Sequence, residues 1–405
     1  MCTLPWTALL LIWPAHGLAI PALPPPQQAL AATAGGVVWF DEGPVFFDEL
    51  GSAQVRLGPI EAREGSRAPQ VSASATAVAA MPDTGSEEST AFVVGMPPGP
   101  LVPLAGPTLL PGGGCRGWES SGNFVVADDQ LVAAGRCHWD DRAVRQPLFV
   151  TSLRQQRSHG NSRIGGASHA RRWRVLRWLA GEYPPILAAE KSLLAVGVQL
   201  SPTRMAVSIF DVRTGRTEAR FELPAGYLRF ASPTRLVLSV AQTLSSPESP
   251  DVGSQSGPFD LALYSTRGQR IADLGSSRGP PLVSHMHLVT DEYHEGAGSG
   301  EYQTLSLRNL TDGAAGAPKP VIGFNAPARA LIALAFRWPA LSAVETTSAP
   351  LQPNEIGCWS GDYSPAGKPF LQIFDLARNE AFRPAPAIVH VQPSQPLTNC
   401  GPVPP

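Results

Sequence analysis

The hydrophobic residues of this chain fall in short runs that are grouped in fours and separated by polar turn residues. The grouping is clearest at 186–189, 193–198, 205–211 and 218–223, where the last run alternates apolar and polar residues. The stretch that follows residue 223 repeats this grouping of four short runs. Alternating runs, and short continuous apolar runs bounded by Gly, Pro and Ser, are typical of β-strands. The pattern therefore predicts a succession of four-stranded antiparallel sheets.

The grouping recurs along almost the whole chain. We assign seven groups between residues 31 and 393, and in the seventh the strands are expected at 330–335, 340–345, 370–375 and 388–392. Short strands in fours, with a period of roughly 40 to 60 residues, are the signature of a β-propeller. The sequence predicts an all-β fold, a β-propeller of about seven four-stranded blades. The first two groups are the least regular, which leaves six or eight blades open.

The composition agrees with an all-β fold. Of the 405 residues, 39 are Gly and 42 are Pro, which leaves little room for long helices, and the 43% hydrophobic content suffices for a large core. The formal net charge of −2 provides no general attraction to nucleic acid or to an anionic membrane surface. We therefore expect no nucleic-acid partner.

The N-terminus has the features of a secretory signal. Residues 8–13 are apolar, and Gly17 and Ala19 offer small side chains before a cleavage site, although residues 1–7 contain no Lys or Arg. The apolar run is too short to span a membrane. The expected organisation is a signal peptide at 1–19, a Pro-rich linker at 20–30, the propeller at 31–393 and a C-terminal tail at 394–405. An untranslated or disordered Pro-rich leader is the alternative to export.

The cysteines also favour an exported protein, secreted or in the cell envelope. Loss of Cys2 with the signal would leave an even number, in two local groups: Cys115, Cys137, Cys358 and Cys400. We expect Cys115 to pair with Cys137 and Cys358 with Cys400, which would tie down the tail, although four cysteines allow three connectivities. No Cys-x-x-Cys spacing supports a zinc site, and four separate thiols are the remaining alternative.

Three turns between third and fourth strands carry a resemblance to known propellers. They are Ile-Phe-Asp-Val-Arg-Thr-Gly-Arg at 209–216, Leu-Tyr-Ser-Thr-Arg-Gly at 263–268 and Ile-Phe-Asp-Leu-Ala-Arg at 373–378. These segments resemble the corresponding hairpin of TolB-type and WD-repeat-like bacterial propellers, without the Gly-His and Trp-Asp dipeptides of true WD repeats. The resemblance implies a rigid scaffold, often secreted or associated with the envelope and often without catalysis. It assigns no functional residue to this chain.

The densest group of potential metal ligands lies near residue 290. His285 and His287 would share one face of a strand, because side chains alternate along it, and Asp291 and His294 could return from the following turn. Imidazole and carboxylate together suit zinc or another divalent first-row metal. A strand break near Met286 would instead place the two histidines on different strands, and the alternative is a polar hairpin with solvated histidines.

A basic stretch is the second candidate site. Residues 154–177 contain no acidic residue, and two tryptophans accompany the candidate arginines, which are Arg171, Arg172, Arg174 and Arg177. Charge and stacking could together hold an anionic polymer. An exposed, solvated loop is the alternative.

No catalytic residue can be assigned. The chain contains no Gly-x-Ser-x-Gly elbow, no Walker A loop and no His-Glu-x-x-His motif. We predict a non-enzymatic exported propeller that binds or scaffolds a protein or an envelope polymer through rim loops or the channel mouth, with no cofactor unless a divalent metal binds the histidines. The alternative is a propeller hydrolase or lyase, metal-assisted, that acts on a carbohydrate or lactone. An enzyme should bring ionisable side chains from several blades into the central channel.

Overall fold

The computed structural model describes the strands and most of the short turns between them. The described residues are 30–40, 44–50, 54–59, 67–75, 77–83, 91–94, 102–104, 117–138, 145–153, 173–181, 183–243, 256–279, 281–294, 302–311, 314–325, 329–347 and 370–382. All regular elements in these ranges are β-strands. No helix among them is long and apolar enough to cross a membrane.

The first four blades each use one continuous segment of the chain, and their strands pair antiparallel in chain order. Blade 1 contains β1 (Leu30–Thr33), β2 (Gly36–Phe40), β3 (Pro44–Glu49) and β4 (Gln54–Pro59). Blade 2 contains β5 (Arg67–Ala73), β6 (Val78–Asp83), β7 (Ala91–Val94) and β8 (Val102–Leu104). Blade 3 contains β9 (Gly117–Ala127), β10 (Gln130–His138), β11 (Arg145–Ser152) and β12 (Arg174–Ala180). Blade 4 contains β13 (Ile186–Glu190), β14 (Leu193–Ser201), β15 (Arg204–Asp211) and β16 (Thr217–Pro224).

The last three blades follow the same order, and blade 6 has an additional short strand. Blade 5 contains β17 (Tyr227–Ser232), β18 (Arg235–Thr243), β19 (Ser256–Ser265) and β20 (Arg270–Ser277). Blade 6 contains β21 (Leu282–Ser284), β22 (His287–His294), β23 (Tyr302–Thr311), β24 (Ala314–Ala315) and β25 (Lys319–Asn325), with both β24 and β25 paired to β23. Blade 7 contains β26 (Arg329–Arg337), β27 (Ala340–Thr347), β28 (Phe370–Asp375) and β29 (Glu380–Phe382).

The innermost strands form a closed ring. The first strand of each blade contacts the first strand of the next, from β1 through β5, β9, β13, β17, β21 and β26, and β26 contacts β1 again. The described residues therefore form a seven-bladed β-propeller around a central channel, as the sequence predicts. No described blade combines strands from the two ends of the chain.

A tight hairpin joins the first two strands in six of the described blades, with two residues between the strands. In five of these blades the residue after the third strand donates its backbone N–H to the carbonyl oxygen of the second turn residue, and in blade 6 the donor is Leu310, the next-to-last residue of β23. The bonds run from Leu50 to Gly35, Leu153 to Asp129, Val212 to Ser192, Thr266 to Thr234, Leu310 to Met286 and Leu376 to Pro339. Satisfying these backbone groups holds the turns at one end of the channel, called here the channel mouth, in a common geometry.

The core lies between the blades. In blade 4, Leu194 and Val196 of β14 pack toward blade 3, whereas Ala195 between them packs toward blade 5 with Leu228 and Phe230. A strand between two neighbouring sheets needs apolar residues on both faces, which explains the continuous run at 193–198. The outer strand β16 alternates half-buried and exposed positions, as a half-solvated edge strand should.

One predicted strand position, in the last blade, is corrected. The fourth strand of blade 7 is β29, which begins five residues after β28 and pairs with it, whereas the sequence pattern placed that strand at 388–392. The segment 388–392 lies outside the described residues. The run at 388–392 is more apolar than the short segment Glu-Ala-Phe of β29, but an edge strand needs few apolar residues.

Candidate functional site at the channel mouth

The last residue of each innermost strand pairs with the first residue of the second strand, so these residues form one level of the ring, called here the turn rank. Its members are Thr33, Ala73, Ala127, Glu190, Ser232, Ser284 and Arg337. Only Glu190 and Arg337 are charged. The turn rank is therefore the level at which ionisable groups meet at the channel mouth.

Arg337 and Glu190 form an ion pair across the ring. Arg337 Nη2 lies 3.4 Å from Glu190 Oε2, and the side chains are only 11% and 7% exposed. Arg337 belongs to blade 7 and Glu190 to blade 4, which is the largest separation possible in a ring of seven. A second contact runs from Arg337 Nη1 to the carbonyl oxygen of Ala73 in blade 2, at 3.5 Å. The guanidinium thus joins three blades and spans the channel.

Burial sets the electrostatics of this pair. Desolvation lowers the pKa of Arg337, and the charge of Glu190 opposes that shift. The Arg337 Nε–H is buried and has no hydrogen-bond partner among the described residues. A buried guanidinium in this position depends on its carboxylate, because an uncompensated buried charge is costly.

Aromatic and polar side chains from blades 6 and 7 lie beside the ion pair. The His287 imidazole stacks on the Trp338 indole with ring centroids 3.6 Å apart and an angle of 1° between the planes. The Trp338 backbone N–H donates to Ser284 Oγ at 3.2 Å, and Ser284 Oγ lies 2.8 Å from His285 Nδ1. His285 is exposed, whereas His287 and Trp338 are half-buried. The stacked rings offer a rigid planar surface at the mouth.

The protonation of His287 follows from its contacts. Its Nδ1 lies 2.8 Å from the His285 carbonyl oxygen, so Nδ1 carries the hydrogen and Nε2 keeps its lone pair. Burial lowers the pKa of His287, the bond to the carbonyl opposes this, and the neighbouring His285 lowers it further. At neutral pH the ring is therefore an uncharged partner for Trp338.

A second level lies two residues deeper along each second strand. There the residues of the innermost strands pair with the third residue of each second strand, and they form what is called here the third rank: Ala31, Val71, Val125, Ala188, Arg229, Leu282 and Ala335. Six members are apolar and one is an arginine. Two residues along a strand correspond to about 7 Å.

The predicted metal ligands are divided between two elements. His285 and Met286 form the turn, both with positive φ, and His287 begins β22, so the strand break near Met286 separates the two histidines. Asp291 lies further along β22, and the side chain of His294 is outside the described part of the chain. Within that part, no three His, Cys, Asp or Glu side chains are grouped for a metal ion. The four-ligand site stays a prediction.

The predicted anion-binding arginines have neighbours in blade 4 where they are described. Arg174 Nη2 donates to the Val212 carbonyl oxygen at 2.9 Å, and the Arg177 guanidinium lies 5.5 Å from the centroid of the Phe210 ring. Both contacts fasten the outer strand of blade 3 to the next blade. Arg171 and Arg172 lie outside the described residues, and anion binding by this stretch stays a prediction.

Several further sequence predictions fall outside the described residues. They concern the signal peptide, the Pro-rich linker, the tail, Cys115, Cys358, Cys400 and the side chain of Cys137. The backbone of Cys137 lies in β10 opposite Trp118 and Arg145. The disulfides stay predictions.

Sequence reasoning missed Glu190, Arg337 and Arg229. Their position in the repeat was the signal that could have found them. If the seven groups of four strands are aligned on their first hairpins, these three residues are the charged ones at levels that are otherwise uncharged. The pairing of Glu190 with Arg337 could not be read in this way, because it depends on ring closure between residues 147 positions apart.

Comparison with known proteins gives structural similarity alone. No protein-family model matches the chain, and no curated protein matches it. A puromycin hydrolase is similar over 88% of this chain with 12% identity and a TM-score of 0.48, and a Mycobacterium tuberculosis puromycin-hydrolyzing peptidase over 96% with 15% identity and a TM-score of 0.47. The chain covers 53% and 57% of those proteins, about half their length. The β-propeller domain of the Trilobed protease from Pyrococcus furiosus matches over 87% of this chain and 95% of its own, with 12% identity and a TM-score of 0.45.

Proposed function

We propose that this propeller is a non-catalytic binding protein whose partner contacts the channel mouth. The ionisable side chains that meet there, Arg337 and Glu190, are buried and paired with each other, so they offer no free acid or base for catalysis. The observation that carries the proposal is the half-buried stack of His287 and Trp338, which blades 6 and 7 hold at the mouth above the Arg337–Glu190 ion pair. Tryptophan supplies much of the energy in protein interfaces. A protein segment, or a polymer of the envelope, is the partner that this chemistry favours.

The rigidity of the mouth supports a binding role. Ser284 accepts the Trp338 N–H, and the Met286 N–H donates to the Ala231 carbonyl oxygen of blade 5 at 2.7 Å, so the turns of neighbouring blades are fastened together. A surface already held in its bound arrangement loses little conformational entropy when the partner arrives. The ion pair spans the channel below this surface, which suits a partner that docks on the mouth rather than one that passes through it.

We place this function outside the cytoplasm, in the secreted or envelope compartment, on the basis of the apolar segment at 8–13 and the even number of cysteines after removal of the first.

The three hairpins at 209–216, 263–268 and 373–378 do join third and fourth strands. They are the support for a TolB-type or WD-repeat-like subfamily within the propellers.

The proposal is tested by Trp338→Ala, with Trp178→Ala as the matched control. Trp178 is an exposed tryptophan on the outer strand of blade 3, whereas Trp338 lies in a turn at the channel mouth. Immobilised wild-type protein is incubated with an extracytoplasmic extract of the host, the captured partner is identified, and its affinity for each purified variant is measured. We expect Trp338→Ala to weaken binding at least tenfold and Trp178→Ala to leave it unchanged. Equal affinities for the two variants would overturn the proposal.

The alternative of a metal-assisted hydrolase or lyase has a separate test. His287 Nε2 retains a lone pair, whereas His285 Nδ1 is engaged by Ser284, so a metal would require His285 to bind through its other nitrogen. Metal analysis of the purified protein beside His285→Ala and His287→Ala decides the matter. Stoichiometric metal that is lost in both variants would favour the enzyme.

A further inference from the structure

Arg229 is the single charged member of the third rank. Its six equivalents are Ala, Val or Leu, so nothing in the repeat requires a cation at this level. It pairs with Val237, and opposite residues of an antiparallel pair share a face. Val237 packs in the apolar layer between blades 5 and 6 with Ala231 and Leu288. Arg229 therefore lies at the inner edge of an apolar layer, on the innermost strand of blade 5.

The guanidinium of Arg229 has little compensation from the protein. Its Nη1 donates to the Leu228 carbonyl oxygen at 3.0 Å, and this uses one of its five N–H donors. Among the described residues no carboxylate forms an ion pair with it. The side chain is half-buried, and desolvation lowers its pKa, with Tyr227 opposing the shift. Partial burial of a charge without a counter-charge among the described residues opposes folding.

We propose that Arg229 binds the oxyanion group of a ligand, a carboxylate or a phosphate, inside the central channel. The planar guanidinium matches both groups through two parallel hydrogen bonds. The inference deepens the binding role proposed above and rests on it for its biological meaning, because it gives the chemistry of a ligand group within the channel. The ion pair of the turn rank lies about 7 Å away along the strands, on the mouth side of Arg229.

The position favours an anion over other ligands. Glu190 neutralises the charge of Arg337 at the turn rank. The two ranks together contain two cations and one anion among their fourteen positions. The remaining positive charge belongs to Arg229. Its apolar surroundings weaken competition from water and strengthen a charge-assisted hydrogen bond.

The test measures the thermal midpoint of the purified full chain in sodium chloride, sodium acetate and sodium phosphate at one ionic strength and pH. A ligand that binds only the folded protein raises the midpoint, by about 2–5 °C when it is well above its dissociation constant. We expect this rise for the wild type and its loss in Arg229→Leu. Acetate alone would indicate a carboxylate, phosphate alone a phosphate, and both an oxyanion of either kind.

Two controls keep the test decisive. Arg220→Leu removes an exposed arginine from the outer strand β16 and should respond to the anions as the wild type does. In chloride, Arg229→Leu should be at least as stable as the wild type, since leucine already occupies the equivalent position 282. Arg229→Gln keeps a donor for the Leu228 carbonyl oxygen and should also lose the anion response.

Three results would overturn the proposal: no anion effect beyond chloride in the wild type, an undiminished effect in Arg229→Leu or Arg229→Gln, or unfolding of both variants in chloride. The last would show that Arg229 is a structural residue. The thermal measurement uses no protein partner, so its result does not depend on whether the search for a partner succeeds. A missing anion response would likewise leave the test on Trp338 standing.

Discussion

Two ion pairs of the same chemistry occupy opposite environments in this propeller. Arg337–Glu190 lies at the centre, 11% and 7% exposed, and joins blades 7 and 4. Arg204–Glu222 lies on outer strands of blade 4, with the two side chains 63% and 52% exposed. The outer pair is solvated whether or not it forms, whereas each central partner relies on the other. The comparison teaches that burial, and not the ion pair itself, determines what the loss of one partner costs.

The largest effect should follow from removing the central carboxylate. Glu190→Gln leaves the Arg337 guanidinium buried without its counter-charge, and we expect a loss of about 3 kcal/mol in the free energy of unfolding. Urea denaturation of the purified protein measures it. The double variant Glu190→Leu/Arg337→Met removes both charges and should recover most of the loss. If Glu190→Gln were as stable as the wild type, burial would not set the cost of losing one partner of the ion pair.

A half-buried carboxylate with many hydrogen bonds tests whether burial alone matters. Asp211 Oδ1 accepts the backbone N–H groups of Thr214 and Arg213, and Asp211 Oδ2 accepts the Ser192 hydroxyl. These bonds, chiefly that from Thr214, lower the pKa of Asp211 against the effect of burial. Asp211→Ala should cost about 1 kcal/mol of unfolding free energy, since it releases the turn of the β15–β16 hairpin.

The same carboxylate has a defined pH dependence. Its pKa is lower in the folded chain than in the unfolded chain, so its contribution is complete above the ordinary Asp pKa and is lost as the pH falls through the folded value. The stability difference between wild type and Asp211→Asn should therefore shrink below pH 4. A difference that stays constant from pH 7 to pH 3 would contradict the assignment.

The stacked histidine should give a smaller effect, at milder pH. Burial lowers the pKa of His287, so the unfolded chain takes up this proton at higher pH than the folded chain does. The stability from His287 is complete above about pH 6.5 and declines as the pH falls toward the folded value. His287→Gln should reduce the loss of stability between pH 7.5 and 5.0 by less than about 1 kcal/mol. Thermal midpoints at the two pH values, beside those of His285→Gln, measure it.

The smallest effect is expected at the outer pair. Glu222→Gln should change the free energy of unfolding by at most about 0.5 kcal/mol, and less in high salt, because both side chains are largely exposed. Urea midpoints in low and high salt provide the measurement. A loss similar to that of Glu190→Gln would remove the distinction between the two pairs.

The fold was largely accessible from the sequence, for a physical reason. Blade 4 was recognised because 193–198 is apolar on both faces and 218–223 alternates, and these are the patterns of a sandwiched strand and an edge strand. The last strand of blade 7 differs from the prediction because β29 is only three residues long. Periodicity identifies strands by a repeated alternation, so it fails where a strand is too short to repeat.

The candidate site was much less accessible. His285 and His287 drew attention because they are neighbours in sequence, yet the important neighbour of His287 is Trp338, from the next blade. Glu190 and Arg337 meet only after the ring has closed. Contacts across a channel depend on the number of blades and on the register of every innermost strand, and neither is encoded in a local pattern.

The self-contained blades have a consequence for how such a gene can change. Every described sheet is built from one uninterrupted stretch of chain, and the ring closes through contacts between β1 and β26 without a shared sheet. An in-frame duplication or deletion of one blade-length segment would therefore add or remove a whole sheet and leave the hydrogen bonds within each of the other sheets intact. Selection on such events would act on the fit of the ring and on the few residues that reach across it.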